Sequence, residues 1–130
     1  MRAKPWLAVV TLLMASACAS PREKAYQQAV TDYKRSEADA AAFASANVKQ
    51  LVSATQSFHS ILRRWPRTFE EFGRFVTDTR EPLDLTAFND VMFAALEDGS
   101  VQIHYDVNCS RFSGKQYQFA ETGTVNVKAQ

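Results

Sequence analysis

Residues 22–65 contain neither glycine nor proline and are dominated by helix formers, so most of this stretch is expected to be helical. An unbroken helix of that length reaches about 60 Å at 1.5 Å per residue. Alternate steps of three and four residues pick out Tyr26, Val30, Tyr33, Glu37, Ala40, Ala44, Asn47, Leu51, Ala54, Phe58, Ile61 and Trp65, a near-heptad stripe. Its ends are bulky and its middle is small or polar. The ends are therefore expected to pack firmly, and the middle weakly or against a close neighbour. One long helix is preferred over two joined near residues 36–46, and its stripe offers a route to homo-oligomers.

Pro66 is expected to stop this helix, because the residue before a proline avoids helical geometry. Thr68-Phe69-Glu70-Glu71 fits a capping box opening a second helix. In that helix Phe69, Phe72, Phe75 and Val76 recur at helical spacing.

The periodicity then changes to two. Val101, Ile103, Tyr105, Val107 and Cys109 share one strand face, and Gln102, His104, Asp106 and Asn108 the other. Asp98-Gly99 is a preferred two-residue hairpin pair, which sets Leu96 against Val101, Ala94 against Ile103 and Met92 against Tyr105. Two three-residue loops, at 112–114 and 121–123, each place glycine third, where a left-handed backbone is required. Val107 then faces Phe119, Cys109 faces Tyr117, and Phe119 faces Val125. The fold class expected is α+β: a long N-terminal helix and a second short helix packed on a four-stranded antiparallel meander.

The first 17 residues read in three parts. Arg2 and Lys4 form a positive region, residues 6–14 an apolar run, and Ala15-Ser16-Ala17 a small-residue cleavage region, the order of a secretory signal. The apolar run is shorter than the 18 or so residues that span a bilayer, and no later stretch matches it. Ala15-Ser16-Ala17-Cys18 resembles the lipobox of bacterial lipoproteins, in which small residues precede a Cys that is acylated and becomes the mature N-terminus. The resemblance covers the leader alone and has Ala15 where an aliphatic residue is usual. It implies a lipid on Cys18, a membrane as partner and, because Ala19 and Ser20 lack the Asp retention signal, the outer membrane facing the periplasm. The alternative is an ordinary secretory protein cut after Ala17 or Ala19, in which a free Cys18 opens a disulfide to Cys109. The organisation expected is a signal peptide at 1–17, a lipid-anchored helical stalk at 18–44, and a small α+β domain at 45–130.

The formal charge of +1 includes the leader. Without Arg2 and Lys4 the basic count falls from 15 to 13 against 14 acidic residues, giving −1. No electrostatic footprint for nucleic acid results.

Candidate chemistry is sparse. Cys109 falls on an inward strand face, where a thiol is structural rather than reactive. His104 beside Gln102 and Asp106 lacks the further His or Cys that completes a metal site. His59 has no acid within a helical turn and reads as a boundary residue. Glu70, Glu71, Asp78, Glu81 and Asp84 fit helix starts and loops. No phosphate-binding glycine loop, HExxH or CxxC is present, so no catalytic residue, metal or cofactor is assigned. Arg63, Arg64 and Arg67 surround Trp65 and read either as helix C-terminal charge or as a docking site for an acidic partner or anionic lipid.

These features point to a non-enzymatic lipid-anchored envelope protein, a scaffold or accessory subunit with an envelope protein as partner. Two alternatives stand beside it. One is a subunit of a secretion or pilus assembly, since a long helix followed by a meander resembles pilin-type heads, although the pilin leader with its Glu is missing. The other is a small periplasmic ligand-binding domain.

Overall fold

A computed structural model describes residues 20–130 of the chain; the expectations for the signal peptide and Cys18 fall outside them. The elements are helix α1 (Pro21–Leu62), helix α2 (Phe69–Thr79), a 3-10 turn (Leu85–Ala87), strands β1 (Phe88–Ala95) and β2 (Val101–Val107), a second 3-10 turn (Ser110–Phe112) and strand β3 (Glu121–Val127). The fold is α+β. Contacts divide the chain into two units, Met1–Arg35 and Ser36–Gln130.

Within residues 20–35 the helix begins at Ser20, whose hydroxyl accepts from the Glu23 N–H at 3.2 Å. Apart from half-buried Val30 these residues are exposed, Tyr26 to 71% and Tyr33 to 39%.

In the second unit α1 buries Ala40, Ala44, Asn47, Leu51, Ala54, Thr55 and Phe58. The period expected for the stripe is present, and its bulky residues Phe58 and Trp65 are buried as expected, but the N-terminal end does not pack. Tyr26, Tyr33 and Ile61 are exposed, and the small residues Ala40 and Ala44 are buried. Small side chains let the backbone approach its neighbours closely. In this region the Phe43 ring meets that of Phe112 at 5.5 Å, and Ser36 Oγ lies 3.3 Å from Tyr117 Oη. The two buried polar residues are satisfied within the helix. Thr55 Oγ1 donates to the Leu51 carbonyl at 2.7 Å and Asn47 Nδ2 to that of Phe43 at 2.9 Å.

Helix α1 ends at Leu62, earlier than Pro66 requires. Arg63 takes the left-handed region (φ 60°) and its N–H donates to the His59 carbonyl at 2.8 Å, closing the helix as a terminal glycine commonly does. Helix α2 starts as expected: Thr68 Oγ1 accepts from the Glu71 N–H at 3.1 Å. The Glu71 carboxylate, assigned by the capping box to the backbone, pairs with Arg64. Phe72, Phe75 and Val76 are buried. Phe72 packs on Phe93 (5.2 Å between centroids) and Phe75 edge-on against Phe58 (5.0 Å).

The sheet is antiparallel with the order β1-β2-β3, three strands rather than the four expected. Strand β3 pairs along the whole of β2, from Val101 with Val127 to Val107 with Glu121. The segment 115–120 alternates in sequence, but its only bridge joins Gly114 to Tyr117. Its Tyr117 and Phe119 rings stack at 5.0 Å. The pairings of Val107 with Phe119, Cys109 with Tyr117 and Phe119 with Val125 are thus replaced. The alternating Thr and Val of β3 suit a ladder better than Lys and two Gln do.

Gly114 and Gly123 do not serve as left-handed turn residues; Gly99 alone among the glycines has positive φ. Gly123 lies inside β3 opposite Tyr105, where a Cβ would collide with the phenol ring, its Cζ being 2.6 Å away. Its lack of a side chain makes room for that ring.

The β1–β2 register also differs by one residue. The loop has three residues, 97–99, closed by Gly99 N–H to the Leu96 carbonyl at 3.1 Å and Leu96 N–H to that of Ser100 at 2.8 Å. Gly99 at φ 87° occupies the left-handed third position. Ala95, Phe93 and Val91 therefore oppose Val101, Ile103 and Tyr105, while Met92 and Leu96 are exposed. A one-residue slip exchanges the faces of a strand. The β2 faces are as expected over Val101–Val107, with Val101, Ile103 and Val107 buried and His104 exposed; Cys109, expected on the same strand, is buried but lies beyond its end, at the start of the second 3-10 turn. Burying Phe58, Phe72, Leu51 and Ile103 contributes roughly 1.5–3 kcal/mol per side chain, and these form one core with the sheet.

Candidate functional site

The segment leaving α1 holds the residues that sequence reading marks for docking, and it separates them. Trp65 points inward, 9% exposed, and its Nε1 donates to the Gly99 carbonyl at 2.9 Å. The His59 ring lies against it at 4.2 Å between centroids. The Arg64 guanidinium pairs with Glu71 and lies 5.4 Å from the Phe58 ring centroid. Arg63 and Arg67 are exposed. Trp65 thus ties two parts of the fold together, while Arg63 and Arg64 follow the C-terminal end of α1, whose dipole favours positive charge, and Arg67 directly precedes the Thr68 cap of α2.

Cys109 is 2% exposed. Burial pushes its thiol pKa up, and the Glu121 carboxylate adds to the rise, so the group is held as the unreactive thiol at neutral pH. His104 stands on the outer sheet face with Nε2 3.1 Å from Gln102 Oε1 and Nδ1 3.0 Å from Thr124 Oγ1. Among the described residues no group of three His, Cys, Asp or Glu side chains is placed to hold a metal ion. The Ser100 hydroxyl and N–H hold the Asp98 carboxyl below its ordinary pKa, a hairpin-loop arrangement.

A cleft that the sequence did not reveal lies beside the second 3-10 turn. It measures about 180 Å³ and is lined by Phe43, Asp84, Thr86, Asn108, Ser110 and Arg111, among others. The Arg111 guanidinium lies 4.0 Å from the Phe43 ring centroid and 5.1 Å from that of Phe112. The turn is set by Asn108, whose Oδ1 accepts from Ser110 N at 3.2 Å and Ser110 Oγ at 2.7 Å. Opposite it, Asp84 Oδ1 accepts from Thr86 N at 3.0 Å and Thr86 Oγ1 at 2.6 Å. Sequence reading did not single out Arg111. The Asn-Cys-Ser run before it, typical of an Asx turn, was the available signal.

Compared with protein-family models, with characterised proteins and with solved structures, the chain has no match.

Proposed function

We propose that the protein is a non-enzymatic, lipid-anchored envelope protein that serves as a scaffold or accessory subunit, held by an acyl group on Cys18 at the outer membrane and facing the periplasm. The observation that carries the reading is the three-part leader closing on Ala15-Ser16-Ala17-Cys18. What lies behind it agrees. Residues 21–35 are helical and, apart from half-buried Val30, exposed, a form suited to a spacer after an anchor. Among the described residues no helix is long and apolar enough to cross a membrane. The partners proposed are the membrane, through the lipid, and an envelope protein; a second copy of the chain through α1 is the other candidate.

The test is labelling with a fatty acid, together with mass spectrometry of the mature N-terminus. Acylation on Cys18 and release or stalled processing of Cys18→Ser are expected. A Cys18→Ser protein that stays membrane-bound and still carries the label would overturn the assignment.

A further inference from the structure

We propose that the cleft beside the second 3-10 turn binds a small zwitterionic group, its anionic end on the Arg111 guanidinium and its ammonium end at Asp84. The site is independent of the anchor and stands whether or not Cys18 is acylated. Arginine loses much rotamer freedom when it binds, and stacking on an aromatic face removes that loss beforehand. The Arg111 guanidinium, on an exposed residue, lies over the Phe43 ring at 4.0 Å from its centroid, a contact that restricts it while its N–H groups remain donors for a ligand. The ion pairs among the described residues are Arg64 with Glu71 and Arg74 with Glu70, so Arg111 has no carboxylate partner there within 4.0 Å.

Asp84 lines the same cleft yet does not close onto Arg111. Opposite charges that share a cleft of about 180 Å³ without touching leave room between them for a group that carries both signs. Each disfavours a ligand of its own sign, so an isolated anion or cation meets one attraction and one repulsion. The surrounding polar atoms are already oriented. Asn108 Oδ1 is engaged by Ser110, which turns the Asn108 amide N–H groups into donors for the anion. Asp84 uses Oδ1 on Thr86, and its second oxygen is the acceptor for an ammonium. The volume suits a group of amino-acid size and is below the 300 Å³ or so of typical cofactor pockets. Carboxylate with ammonium (a free amino acid) and phosphate with ammonium (a lipid headgroup) share this chemistry.

The test is an NMR titration of the ¹⁵N-labelled full chain in detergent with alanine, the diester glycerophosphoethanolamine, acetate and methylamine. Saturable shifts of the Asn108, Ser110 and Arg111 amides are expected with a zwitterion at a Kd of about 1 mM, and binding at least about tenfold weaker for acetate and methylamine. The tighter of alanine and glycerophosphoethanolamine identifies the source. Arg111→Gln should weaken binding about tenfold, and Asp84→Asn, which keeps the turn-capping oxygen, should remove the preference for a zwitterion over acetate. Arg111→Lys keeps the charge and should lose affinity through the missing planar stack. The spectra themselves report whether each variant is folded. Absence of saturable shifts with both zwitterions, acetate binding as tightly as alanine, or a folded Arg111→Gln protein that binds unchanged would overturn the proposal.

Discussion

The indole Nε1 of Trp65 donates to the Gly99 carbonyl oxygen at 2.9 Å, joining the segment between the two helices to the tip of the first hairpin, 34 residues further along the chain. The ring is buried and also meets His59. One side chain thereby fixes the helix exit, the hairpin loop and the end of the core relative to one another.

Truncation at Trp65 should accordingly be far more costly than loss of the neighbouring cap. Trp65→Ala is expected to destabilise by roughly 3–5 kcal/mol, and Thr68→Ala, which removes the hydroxyl that accepts from Glu71 N–H, by about 1 kcal/mol. Urea unfolding of both variants measures this. Equal losses would place the indole outside the core.

Gly123 should not tolerate even a methyl group. Its Cβ position falls on the Tyr105 ring, so Gly123→Ala is expected to cost roughly 1–3 kcal/mol through overpacking. With Tyr105→Ala already in place the same change should cost less than about 0.5 kcal/mol, a coupling that a double-mutant cycle reads directly. If the two changes add, the collision is not the reason for glycine.

The Cys109 thiol gives a signed pH dependence. Burial raises its pKa in the folded chain, so above the unfolded value of about 8.5 the unfolded chain loses the proton first. The folded chain then binds more protons, and stability falls as pH rises. The contribution is fully present below that value and is lost as pH climbs through the folded pKa. Relative to wild type, Cys109→Ala should cost about 1 kcal/mol at pH 7 and show a flatter decline as pH rises above about 8.5. A thiol reagent should react slowly with the native protein and rapidly after denaturation.

The helices were legible because their signals are local. Freedom from Gly and Pro, a 3.6-residue recurrence of Phe72, Phe75 and Val76, and the Thr68 cap each act within a few residues. The inward face of β2 was legible for the same reason. What the sequence hid was set by distant partners. Tyr26 and Ile61 fit the apolar stripe, but nothing local tells which part of a 42-residue helix faces a core. Gly123 looked like a turn because glycine serves both turns and close approaches, and Tyr105, 18 residues away, decides between them. The alternation through Tyr117 and Phe119 was real, yet those rings stack on each other instead of entering a ladder. Of the docking cluster, the charge at the helix end was legible and the burial of Trp65 also followed from the stripe. The Arg111 cleft was not legible, since it joins Phe43 of α1, Asp84 and residues 108–111.

The odd length of the first hairpin loop has a consequence for how this chain tolerates change. Side chains on a strand alternate, so the parity of residues 97–99 determines whether Val91 or Met92 belongs to the interior. Adding or removing one residue there would put β1 out of phase with every partner it has, unless the ladder bulged, whereas a change of two would keep the phase. Phe88 and Asp90 already flank such an irregularity at the other end of the strand. The two ends of β1 therefore differ in kind: one absorbs a miscount, and the other keeps count for its pairing with β2.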